Sequence, residues 1–109
     1  MIGNLSDRKF IIYPEAVNLR KNFLGLMGLV EESGRSVEFF NNTAIVFINR
    51  RRNMFKCLYW ENEGLAIWNK RLTKGTFPKN LSFEKTISFS DFIIFIHGYL
   101  PPENRPKNT

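Results

Sequence analysis

The chain has 109 residues, 43% hydrophobic and 24% charged, with one cysteine and a formal net charge of +6. That composition fits one folded domain with a single core and excludes a disordered chain or a disulfide-stapled scaffold; the short apolar runs, such as residues 92–96, fall far below the ~20 residues of a membrane span. The lone Cys57 suits a reducing compartment, and MIGNLSDRKF lacks a leader's cation-then-apolar pattern, so a cytoplasmic protein is expected.

RKFIIYP (8–14) is a short apolar run that reads as a first strand stopped by Pro14. In the following segment Leu19, Phe23, Leu26, Met27 and Val30 fall at i, i+4, i+7, i+8 and i+11, one face of a helix. Asn18 would cap that helix and Gly34 stop it, while Gly25 and Gly28 would let its backbone lie close against a sheet. Arg20 and Lys21 sit off the apolar face near the start, where the macrodipole disfavours cations; they are either solvated charges or binding residues. VEFFNN (37–42) is a connection without a clear pattern.

AIVFIN (44–49), MFKCLYWE (54–61) and LAIWNKRL (65–72) then read as three consecutive strands, joined by the turn RRRN and by ENEG, where Gly64 is suited to positive φ. Short turns make them an antiparallel meander. KTISF adds a short edge strand, and SFSDFIIFIHGYL gives a final helix with Ser90 at its cap and Gly98 near its end. PPENRPKNT is polar and proline-rich. The expected organisation is a single α+β domain over residues 1–100 and a disordered tail over 101–109.

The charge is not spread evenly. Between residues 49 and 79 stand Arg50, Arg51, Arg52, Lys56, Lys70, Arg71, Lys74 and Lys79 against Glu61 and Glu63, so this third of the chain carries the whole excess. Such asymmetry points to a polyanionic partner. Three adjacent guanidiniums cannot share one buried site, so Arg50, Arg51 and Arg52 are expected to project from a hairpin tip. If the strand registers align, Lys56, Trp60, Trp68 and Lys70 share one side of the meander, where cations could meet phosphates and rings could stack on bases. The same pattern also suits lysine stems lying over packed tryptophans.

The segment NLRKNFLGLMGLV resembles the (D/N)-(M/L)-R-K-x-F-x-G-L-x-x-L-V block of the accessory proteins of the IS-sixty-six group of insertion sequences, the TnpB-type, Orf-two-like second reading frame. IVFINRRRNMFKCLYWENEGLAIWNKRLTKGTF resembles the family's second block: a Phe-rich strand, an N-R-R-R turn, x-K-x-L-x-W, an acidic turn with glycine, then K-R-L-x-x-G-x-F. RKFIIYPEAVN and FSDFIIFIHGY resemble its opening strand and closing helix. The family often has aspartate where this chain has Asn18 and Leu24, and a Trp-Pro pair where it has Pro78 and Lys79. The resemblance implies a protein encoded beside a DDE-type transposase, needed for efficient movement of the element and without known catalysis of its own.

Enzyme motifs are lacking. His97 sits in an apolar helical run, Cys57 in a strand, and neither has metal-ligand spacing around it; the pairs Glu31-Glu32 and Glu61-Glu63 read as solvated carboxylates. No cofactor, metal or catalytic group is expected.

Together these readings predict an α+β fold: an antiparallel β-meander of three to five strands with one long helix packed on a face and a short C-terminal helix. They predict a transposition accessory protein binding DNA, with weak sequence preference, through Arg50, Arg51, Arg52, Lys56, Lys70, Arg71 and Lys74, with Arg20 and Lys21 in addition. Trp60 and Trp68 are stacking or interface candidates. The alternative is a protein-interaction module that docks the transposase or another element-encoded protein, with the aromatic face buried and the cations as its polar rim.

Overall fold

A computed structural model describes residues 5–79 and 85–100, so the tail expected over 101–109 lies outside the described residues. After a 3-10 turn at Leu5–Asp7 come strand β1 (Lys9–Ile12), helices α1 (Phe23–Glu32) and α2 (Ser36–Phe40), strands β2 (Thr43–Ile48), β3 (Met54–Glu61) and β4 (Gly64–Arg71), and helix α3 (Phe89–Ile96). The three strands expected of the meander form and pair antiparallel through short turns, with Ile45 opposite Leu58 and Cys57 opposite Trp68.

The sheet as a whole is mixed rather than antiparallel. Its order is β1-β2-β3-β4, and β1 runs parallel to β2, with Phe10 beside Ala44 and Ile12 beside Val46. The physical reason lies in the connection. Parallel neighbours need a crossover of a dozen or more residues, and the α1–α2 segment supplies it, whereas a tight turn permits only antiparallel pairing. KTISF contributes one bridge and no strand: Ile87 and Phe10 exchange two backbone hydrogen bonds of 2.8 Å.

The single long helix is replaced by two short ones. Asn18 does not cap a helix; its Oδ1 accepts from the Arg20 N–H at 3.0 Å, and Val17 is pinned to the Ile48 carbonyl at 2.9 Å. That anchored turn postpones helix formation to Phe23, with Asn22 as the cap residue. Leu19 still reaches the core from the turn, which is why the helical spacing looked continuous from it. Gly34 does end α1, at φ 75°. Its N–H bonds to Glu31 O at 3.1 Å and that of Arg35 to Val30 O at 3.3 Å, the paired bonds of a Schellman motif. α3 ends the same way at Gly98, and its cap is Ser88 rather than Ser90, the Ser88 hydroxyl accepting from the Asp91 N–H at 3.2 Å. Gly28 faces open space and Gly25 lies against the Lys21 side chain, so neither brings the helix close to the sheet.

Strand alternation sorts the apolar residues into two cores, one on each face of the sheet. Phe10, Val46, Phe55, Cys57 and Tyr59 pack with Phe77 and with Phe92 and Phe95 of α3. Ile11, Ile45, Phe47 and Leu58 pack with Leu19, Leu26 and Val30 and with Phe39 of α2. All of these except Tyr59 and Leu19 are at most 1% exposed. Arg8 is buried at the sheet margin, where Nη2 donates to the Trp60 carbonyl at 2.8 Å and the guanidinium lies 5.1 Å from the centre of the Tyr59 ring. No helix among the described residues is long and apolar enough to cross a membrane.

Candidate nucleic-acid interface

The basic turn between β2 and β3 is organised by an asparagine. Asn49 Oδ1 accepts from the backbone N–H groups of Asn53 (3.0 Å) and Met54 (3.1 Å), and its Nδ2 donates to Asn53 Oδ1 at 2.7 Å. This local bonding satisfies the turn's own donors and fixes where Arg50 and Arg51 start. The asparagines that bracket R-R-R are the sequence signal of this turn, beside which the charges are the more conspicuous feature.

The three arginines do not behave alike. Arg50 and Arg51 are exposed, as expected of a tip. Arg52 turns inward: it takes φ 57°, its Nε donates to the Phe77 carbonyl at 3.1 Å, and its Nη2 donates to the Pro78 carbonyl. The Phe77 N–H returns a bond to the Arg52 carbonyl at 2.7 Å. Burial lowers its pKa from the ordinary arginine value. Arg52 therefore clamps the turn to the segment after β4, a contact across 25 residues of chain that no local pattern announces.

Arg50 and Arg51 line an open cleft of about 660 Å³. The loop before α1 adds Ala16, Asn18 and Arg20 to the lining, the end of β4 contributes Arg71, and Val17, Leu19 and Met54 are its apolar members. Four arginines from three separate stretches of chain thus line one cleft. Among the described residues that line it, none is acidic or aromatic. Arg71 Nη2 lies 3.6 Å from Met54 Sδ, and none of the four has a carboxylate partner among the described residues. Clustered guanidiniums in a concavity raise the local positive potential, and their forked donors match phosphate oxygens.

The remaining candidates lie elsewhere. Lys56 is half-buried, and its Nζ donates to the Lys21 carbonyl at 2.9 Å, so one candidate cation is tied to the backbone of another. Lys70 is exposed on the opposite face, beside Phe55, and Lys74 is exposed in the loop after β4. The expected shared face of Lys56, Trp60, Trp68 and Lys70 does not exist. Trp68 pairs with Cys57 and Trp60 with Leu65, which puts the two indoles on opposite sides of the sheet. Each is half-buried against other rings: Trp60 edge-on to Phe40 at 5.3 Å, Trp68 edge-on to Phe55 at 5.4 Å and Phe92 at 5.7 Å. The register of the tight Glu61–Gly64 turn decides this, because one residue of slip moves every side chain to the other face.

The residues best able to do chemistry are structurally occupied. Cys57 is fully buried, and desolvation pushes its thiol far above the usual cysteine range, against a smaller opposing effect of Arg8. A neutral thiol is a poor nucleophile. His97 Nδ1 lies 2.7 Å from the Ile93 carbonyl, to which it donates when protonated. Among the described residues no three His, Cys, Asp or Glu side chains are grouped so as to hold a metal ion.

No curated protein and no solved structure matches the chain. A family model does: the model described as IS66 Orf2-like protein matches residues 8–103, which includes every strand and helix of the sheet and the lining of the cleft. The chain belongs to the IS66 Orf2-like family, the accessory proteins of an insertion-sequence group.

Proposed function

We propose that this protein is a non-catalytic accessory factor of transposition that binds DNA by its phosphate backbone, with Arg20, Arg50, Arg51 and Arg71 as the principal contacts. The observation that carries the reading is that these four arginines line one open cleft with no acidic residue among the described residues of its lining. The absence of rings from that lining favours contacts to phosphate over stacking on bases, hence weak sequence preference. Arg52 acts here by positioning, holding the turn that carries Arg50 and Arg51. Lys21, Lys56, Lys70 and Lys74 add at most long-range attraction, being off the cleft lining. Support for a non-catalytic role comes from the family and from the occupied state of Cys57 and His97.

The test is fluorescence anisotropy of labelled duplex DNA against salt. Four neutralised phosphates give a slope of log K on log salt of about −3.6, at micromolar affinity or weaker. Absence of binding at roughly 50 mM salt, or a slope near zero, refutes the reading.

A second reading rests on exposed apolar side chains of α1 and α2. Leu24 and Val37 are each 80% exposed and Phe40 is 52% exposed, apolar surface that a protein partner such as the transposase would cover. Changing Val37 and Phe40 to serine would abolish capture of the transposase under this reading and leave DNA affinity intact. Capture unchanged by both substitutions refutes it.

A further inference from the structure

Strand β4 closes the sheet on one side, and among the described residues nothing pairs with its outer edge. Glu61 and Gly64 flank a two-residue turn and exchange ladder bonds, so Gly64, Ala66, Trp68 and Lys70 aim their backbone groups at β3. Leu65, Ile67, Asn69 and Arg71 aim theirs outward, where no hydrogen-bond partner meets them among the described residues. The other edge of the sheet is different, because β1 is capped by the two bonds between Phe10 and Ile87.

Eight extended residues without proline form a template for another strand. Leu65, Ala66, Ile67 and Trp68 are only half-buried, so the edge also leaves apolar surface in water. The charges along it indicate what fits. Lys70 and Arg71 stand at one end, and Glu61 and Glu63 at the turn beyond the other. An antiparallel copy of the same strand sets each acidic turn beside the other copy's basic end, whereas a parallel copy sets like against like.

We propose that β4 pairs antiparallel with β4 of a second copy of this chain, centred on Ile67, to make one continuous eight-stranded sheet. Only odd-numbered residues offer outward backbone groups, so the ladder must join odd to odd, which also keeps paired side chains on a common face. Centring on Ile67 joins Leu65 to the partner's Asn69 and sets Ala66 beside the partner's Trp68, small against large, twice over. The two-fold axis stands perpendicular to the sheet, so both arginine clefts face the same side. The pairing does not depend on the DNA reading.

Light scattering and sedimentation from micromolar to near-millimolar protein test it. The expected result is a concentration-dependent dimer. Asn69→Pro removes an outward N–H but no bond to β3 and no buried side chain, so the fold should survive while the dimer dissociation constant rises about tenfold or more. Glu61→Lys with Glu63→Lys should weaken the dimer, and adding Lys70→Glu with Arg71→Glu should restore it. This charge swap is decisive on its own should the proline variant melt early, since Glu63, Lys70 and Arg71 are exposed and Glu61 is half-buried. A chain that stays monomeric throughout overturns the proposal. So does a dimer indifferent to a folded Asn69→Pro variant, or a charge swap that fails to restore association.

Discussion

Arginine 52 separates structure from binding in the basic turn, and replacing it with alanine should destabilise the protein where the same change at Arg50 and Arg51 does not. The alanine variant loses two donors, to the Phe77 and Pro78 carbonyls, while the reverse bond from the Phe77 N–H to the Arg52 carbonyl remains. Hydrogen bonds from a charged donor contribute ~1.5–3 kcal/mol each, but the site is only half-buried and water can reach part of it. A total loss of about 2 kcal/mol follows, which in a domain of this size lowers Tm by roughly 9 °C. Backbone strain offers an internal control. Alanine is no better than arginine at φ 57°, but glycine is, so Arg52→Gly should recover about 1 kcal/mol of the loss. Arg50→Ala with Arg51→Ala should leave Tm within about 3 °C of the parent, yet weaken DNA binding and shrink the salt slope by roughly 2. Circular dichroism melts and salt-dependent anisotropy on the same variants provide the data. An Arg52→Ala protein that melts with the parent, or a glycine variant less stable than the alanine one, would refute the clamp.

Glu63→Gly should stabilise by about 1 kcal/mol, because Asn62 and Glu63 hold φ of 49° and 64° in a two-residue turn that favours Asn-Gly; urea midpoints at unchanged slope would show it. Ser88→Ala should cost about 1 kcal/mol by removing the cap bond to the Asp91 N–H, again read from urea unfolding. Cys57 should resist alkylation at pH 8 in the native protein and react quickly in denaturant, as thiol-quenching rates would reveal. Its pKa is raised on folding, so the linked stability is fully present below the unfolded value near ~8.5 and falls as pH rises above it. Stability increasing between pH 8 and 10 would contradict that sign.

Features that depend on near neighbours along the chain are legible in the residues alone. Three alternating strands with tight turns are legible because apolar period and turn length act within a few residues, and Gly34 and Gly98 mark helix ends because they take the left-handed conformation there. The concentration of cations between residues 49 and 79 was equally plain. Tertiary structure decided the rest. Which strand lies beside β1 depends on how a crossover packs, not on the residues of β1, and the start of α1 moved to Phe23 because Val17 is pinned to the end of β2. The side on which Trp60 and Trp68 fall is set by a turn register whose one-residue ambiguity the strands themselves do not resolve. Arg52 looked identical to Arg50 and Arg51 because its partners, the Phe77 and Pro78 carbonyls, are backbone groups far along the chain, and backbone acceptors leave no mark in a sequence. The arginine cleft has the same origin: Arg20, Arg50 and Arg71 become neighbours only when β1's exit loop, the β2–β3 turn and the end of β4 meet at one end of the sheet.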